Sequence, residues 1–196
     1  MRTVRIFTFA LMVMFIAGLS ACWDPVGDKE DEIRHEQEAK SIGKTLAKTI
    51  VSMSDDVAEG LASDEEDSAE ATAKLARIVA EGIVFNNGVF SGTLENPDGG
   101  SVTVEGSGAQ NADGTYQFEA TLVFEAFAVG DLAFTGSIDV EFTGSLELFT
   151  LTISGDVSVS GDIENEAEVD LTVSATADGV VVTGHVNGQE ISENLN

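Results

Sequence analysis

Lysine and arginine are absent from Phe85 to Asn196, a stretch that carries 19 Asp and Glu. The 196 residues also hold one cysteine, one tryptophan, one tyrosine, two prolines and two histidines. Each shortage excludes something. A single cysteine forbids an intrachain disulfide, so an exported domain of this sequence stands on packing alone. Two histidines and one cysteine are too few for a zinc site built on Cys or several His. A formal charge of −26 repels a phosphate backbone and excludes nucleic acid as a partner. No Gly-x-Ser-x-Gly elbow, phosphate loop or dinucleotide fingerprint occurs, and no Asp-x-Asp-x-Asp calcium loop. His185 as a general base would need a partner that the residues do not identify. The densest acidic cluster, Glu164, Glu166, Glu168 and Asp170, reads as a solvated surface in preference to a divalent-cation site. The chain reads as a non-enzyme, with no cofactor and no metal ligands assigned.

What is present begins with a leader. Arg2 and Arg5 precede an apolar run from Ile6 to Gly18, followed by Leu19-Ser20-Ala21-Cys22. That order is the cationic, apolar and small-residue pattern of a secretory signal, too short to span a bilayer. Its ending resembles the lipobox of bacterial lipoproteins. The resemblance implies export, removal of residues 1–21, diacylation of Cys22 and a mature chain that starts there. Two acyl chains anchor stably where one does not, since each buried CH₂ contributes about 0.8 kcal/mol. The bland alternative, a secreted protein with a free thiol, is disfavoured because exported chains seldom keep an unpaired exposed cysteine. Residues 22–27 then form a short tether broken by Pro25 and Gly27. In lipoproteins an aspartate directly after the cysteine resembles an inner-membrane retention signal. Trp23 takes that place here and Asp24 follows, which leaves both membranes open, with the outer favoured.

Helical periodicity covers residues 28–84. Asp28 is placed to cap a first helix, with Glu30, Asp31 and Glu32 against the positive end of its dipole. Ile42, Leu46, Ile50, Met53, Val57 and Leu61 recur at steps of four and three, making one apolar stripe. Lys40, Lys44 and Lys48 fall on roughly the opposite side and read as a solvated face. Gly60 is expected to end this helix, in a break somewhere within Ser52–Ser63. Ser63-Asp64-Glu65-Glu66 reads as a capping box for a second helix with Leu75, Ile78, Val79 and Ile83 on its apolar side.

From about Val84 the period becomes two. Tyr116 to Ala126 and Leu132 to Leu148 alternate apolar with wet residues, the mark of antiparallel strands covered on one side. Parity then dates the turns, because paired residues flanking a hairpin share a face. The switch from odd positions (Val169 to Ala177) to even ones (Val180 to Val186) predicts a two-residue Asp178-Gly179 hairpin. Another switch predicts a tight turn or bulge near Glu147–Thr150. Unchanged parity predicts odd loops at residues 96–100, 111–114, 129–131 and 164–168. The count is about seven strands in a meander.

Glycines at 92, 106, 136, 144, 155, 161 and 184 fall in the apolar register, where they mark bends or close approaches. The expected fold is α+β: two N-terminal amphipathic helices packed on a curved antiparallel meander, with residues 85–196 as the sheet and 28–196 as one domain. Phe118, Leu122, Phe124, Phe134, Ile138, Val140, Phe142, Leu151 and Ile153 should face the helices or line a cavity between the layers. A membrane barrel is set aside for its odd strand number and lack of aromatic girdles. The expected function is a lipid-anchored structural or interaction module of the cell envelope, touching the bilayer through Cys22 and an envelope protein through strands or loops. The alternative is a carrier for an acyl chain or lipid. Curved sheets holding helices are similar to the half-barrel lipoproteins of lipid trafficking, an analogy of fold alone.

Overall fold

A computed structural model describes residues 26–65 and 82–195. One helix, α1 (Val26–Glu65), precedes nine strands: β1 (Ile83–Asn86), β2 (Val89–Glu95), β3 (Ser101–Gln110), β4 (Tyr116–Val129), β5 (Leu132–Gly144), β6 (Phe149–Gly161), β7 (Asn165–Thr176), β8 (Gly179–Val186) and β9 (Gln189–Asn194). All pairings are antiparallel and the sheet order is the chain order, β1 through β9. Residues Glu36–Asn196 form one compact unit.

Two expectations about the helices change. α1 runs unbroken through Gly60 to Glu65, so no break falls in Ser52–Ser63 and Ser63 does not open a new helix. A lone glycine costs a helix only about 1 kcal/mol, less than the buried stripe on either side contributes. Ile83 and Val84 belong to a strand, with Ile83 and Phe85 turned inward and Val84 outward. Leu75, Ile78 and Val79, the remaining apolar side of the second helix, lie outside the described residues.

The apolar stripe of α1 does what its spacing implies. Ile42, Leu46, Ile50, Val57 and Leu61 are buried, in one cluster with the inward residues of every strand. At Gly43 of the helix, a Cβ would lie 2.7 Å from Ile191 Cδ1 and 3.4 Å from Val186 Cγ2. Of the nine residues expected to face the helix or a cavity, Phe134, Ile138, Phe142, Leu151 and Ile153 have no exposure. Phe118, Leu122, Phe124 and Val140 are 4% exposed or less. Aromatic rings link five strands across this face: Phe85 to Phe90 (5.7 Å), Phe90 to Phe118 (6.0 Å, edge to face), Phe118 to Phe142 (4.8 Å, stacked) and Phe142 to Phe149 (5.2 Å). Phe90 reaches across β3 because Gly106 leaves room; a Cβ there would sit 2.4 Å from the Phe90 ring. At Gly136, with φ +139°, a Cβ would meet the Asp156 carbonyl of β6 at 2.4 Å. That inward gap is closed by a neighbouring strand and not by helix backbone.

Nine strands stand where about seven were expected. The two extra hairpins are closed by Asn87-Gly88 and Asn187-Gly188, both in left-handed conformations (φ 50° and 76°; 51° and 72°). These are the two-residue turns that asparagine-glycine favours. Elsewhere parity holds in outline and shifts in detail. The loops at 96–100 and 111–115 are odd, as expected. The β7–β8 turn does reverse parity, but Thr176 faces Gly179, so Ala177-Asp178 forms the turn. Between β4 and β5 the turn is the two-residue Gly130-Asp131, and a bulge between Phe124 and Phe127 restores the parity. Ala126 is thereby exposed at φ 50°, while Phe127 takes its inward place. Leu146 and Leu148 are not strand residues; they sit in the exposed Ser145–Leu148 turn, 39% and 56% exposed.

Candidate functional site: the outer face of the sheet

Outward positions follow directly from the register. One row crosses all nine strands: Val84, Ser91, Glu105, Thr121, Asp139, Ser154, Asp170, His185 and Glu190. His185 is outward on β8, between Asp170 and Glu190. The next row places Glu119 directly opposite Glu141, and a third places Asp156 opposite Glu168. Like charges so placed destabilise a sheet, and no cation of residues 85–196 offsets them.

Hydroxyls relieve some of this. Thr121 Oγ1 donates to Asp139 Oδ1 at 2.8 Å, and Ser158 Oγ lies 2.8 and 2.9 Å from the two carboxylate oxygens of Glu166. Two open recesses lie on this face, of about 480 and 350 Å³. Glu105, Ser107, Glu119, Thr121, Asp139 and Glu141 line the larger; Gln117 and Thr143 join the smaller. The larger is walled by carboxylates and hydroxyls with Gly106, Ala120 and Val140 at its floor; the smaller adds the Gln117 amide and is floored by Phe118 and Phe142. The aromatic residues Phe85, Phe90, Phe118, Phe124, Phe127, Phe134, Phe142, Phe149 and Tyr116 are all buried on the opposite face. The outer face therefore offers hydrogen-bond acceptors and negative charge, interrupted by the exposed Val84, Val89, Val123 and Val181.

The chemistry available is correspondingly narrow. His185 faces carboxylates and not a hydroxyl, so the register builds no hydroxyl–imidazole pair there. Among the described residues no group of three or more His, Cys, Asp or Glu is arranged to hold a metal ion. Of the acidic cluster, Glu166, Glu168 and Asp170 alternate outward along β7, while Glu164 stands in the preceding loop. Among the described residues no helix is long and apolar enough to cross a membrane. Cys22 and the leader before it lie outside the described residues.

Sequence reasoning passed over two asparagines that complete the sheet's stepped ends. β7 extends past β8, and there Asn187 supplies what a strand would. Its Nδ2 donates to the Glu166 carbonyl at 2.8 Å, its Oδ1 accepts from the Glu168 amide at 2.8 Å, and its own amide donates to the Glu168 carbonyl at 2.9 Å. β4 extends past β3, and there the Ala128 amide donates to the Gly99 carbonyl at 3.0 Å while Asn96 Nδ2 donates to the Ala128 carbonyl. The only signal in the sequence was the Asn-Gly dipeptide at 187–188. No family model, no curated protein and no solved structure matches this chain.

Proposed function

We propose that this protein is a bacterial lipoprotein of the cell envelope, held to the bilayer by acylated Cys22, whose curved sheet, wrapped on α1, is a non-catalytic interaction module. The observation that carries the reading is Leu19-Ser20-Ala21-Cys22 closing a short cationic-then-apolar leader. The outer face supports the second half. It is rich in acceptors, and carboxylates line its open recesses, which suits contact with a polar macromolecular partner. Glu190 and Glu193 also work against pairing of the edge strand β9 with further copies. The outer membrane is the favoured location.

The test is mass analysis of the protein extracted from its native membrane. The expected product starts at Cys22 and carries a thioether-linked diacylglycerol, and Cys22→Ser shifts the protein to the soluble fraction. A bare thiol at Cys22, or residues 1–21 still attached, overturns the anchor. Gentle detergent extraction then tests the module. A partner retained by the native chain and lost from the Glu119→Lys/Glu141→Lys variant supports an interaction surface, and no retained partner overturns it.

A further inference from the structure

The two Asn-Gly turns form a matched pair within one molecule. Each joins an edge strand to the sheet, and each has the same left-handed backbone (Asn87 φ 50°, Gly88 φ 76°; Asn187 φ 51°, Gly188 φ 72°). They differ in what holds the asparagine side chain. Asn187 is clamped by the β7 backbone at both ends of its amide, with 2.8 Å contacts to Glu168 N and Glu166 O. Asn87 is exposed, and its Nδ2 donates to Asn86 Oδ1, itself on an exposed side chain, at 3.0 Å.

We infer that Asn87 is a site of spontaneous covalent modification, succinimide formation followed by conversion to aspartyl and isoaspartyl, and that Asn187 is protected from it. In the first step the Gly88 amide nitrogen attacks Asn87 Cγ. The new N–C bond forms, the Cγ–Nδ2 bond breaks, the Gly88 amide proton passes to solvent base, and Nδ2 leaves as ammonia after taking up a proton. Water then adds to one of the two ring carbonyls. Opening on one side restores an ordinary peptide bond with aspartate at 87; opening on the other runs the chain through the side-chain carbonyl and leaves isoaspartate. Gly88 is itself held to β3, its carbonyl accepting from the Gly108 amide at 2.8 Å, while glycine at this following position places no Cβ beside the attacking nitrogen. The side chain has to swing over that nitrogen before the ring can close. At Asn87 this breaks one exposed contact between neighbouring side chains. At Asn187 it breaks two bonds to strand backbone.

The consequence at Asn87 is local. β1 is four residues long and pairs only through Ile83 to Asn86. A longer isoaspartyl backbone in its turn undoes the Asn86–Val89 pairing and adds a negative charge beside it.

The experiment is ageing of the purified full-length protein in mildly alkaline buffer, with peptide mapping of the asparagine-to-acid mass gain and isoaspartyl detection at both sites. The same time course in concentrated urea is the control, because the unfolded chain presents two equivalent dipeptides. The folded protein is expected to convert Asn87 about fivefold or more faster than Asn187, the factor that one additional hydrogen bond implies. In urea the two rates should converge. Equal conversion in the folded protein, earlier conversion of Asn187, or no conversion of Asn87 while urea converts both, each overturns the inference.

Discussion

Asp55 sits partly buried on α1 with Asp56 and Glu59 beside it. Burial, and then those two neighbouring charges, push its carboxyl above the ordinary aspartate value. The sign of the effect on stability follows from linkage. The folded state holds this proton more tightly than the unfolded chain, so the ionised group opposes folding at neutral pH, and the penalty fades as pH falls through the raised value. Asp55→Asn is therefore expected to raise the thermal midpoint at neutral pH and to leave it unchanged in acid, as scanning calorimetry across pH would record. A lower midpoint at neutral pH would show that the carboxylate makes a contact worth more than its repulsion. Asp113 runs the other way. Hydrogen bonds from the Thr115 hydroxyl and amide hold it below its usual range. Its contribution is present above the ordinary aspartate range and lost as pH falls through the depressed value.

At the scale of elements, the helix and the sheet bury each other. Neither has another apolar partner among the described residues, and the inward residues of both form one cluster. A helix whose stripe is buried but for the half-buried Met53, and whose Lys48 is exposed while Lys40 and Lys44 are half-buried, separates two classes of substitution. Leu46→Ala leaves a void where the side chain has no exposure, and is expected to cost about 2–5 kcal/mol in urea unfolding. Lys48→Ala, on the exposed side, should change stability by less than about 0.5 kcal/mol. Equal effects would mean that α1 does not pack as its stripe dictates. Lys40 reaches both Glu36 (2.8 Å) and, more distantly, Glu193 of β9 (4.0 Å). The hydrogen bond and charge of Glu36 raise its pKa, but so exposed a pair adds little to stability.

At the scale of the whole molecule, the sheet segment is acidic and no cation of residues 85–196 balances it. Seven cations in residues 22–84 face 35 acids in the chain after Ala21. Glu119–Glu141 and Asp156–Glu168 place like charges in direct opposition. Added salt screens this repulsion, so the thermal midpoint should climb with sodium chloride. Glu119→Gln should stabilise the protein by about 0.2–1 kcal/mol at low salt and flatten the salt dependence. A midpoint that falls with salt would show that favourable ion pairs outweigh the repulsion. These two pairs were not visible in the linear sequence, because opposition depends on register, and register here depends on the Gly130-Asp131 turn, the bulge before it and the loop between β6 and β7.

Local chemistry alone wrote several features of this protein into its chain. Apolar spacing of 3.6 and of 2 is set by covalent geometry, so the stripe from Ile42 to Leu61 and the alternation along β4 to β7 could be read without neighbours. The cationic-then-apolar order of residues 2–18 and the missing cations of residues 85–196 are likewise properties of residue identity. Folding decided the rest. Continuity of α1 through Gly60 is a balance between a small local penalty and burial of residues far apart in sequence. The bulge at Ala126 puts Phe127 where Ala126 was expected, since a core position takes the larger side chain when one extra residue lets it. Asn96 and Asn187 act as strand surrogates only because longer strands run past shorter ones, and strand length is settled by pairing partners, not by the residues of one strand.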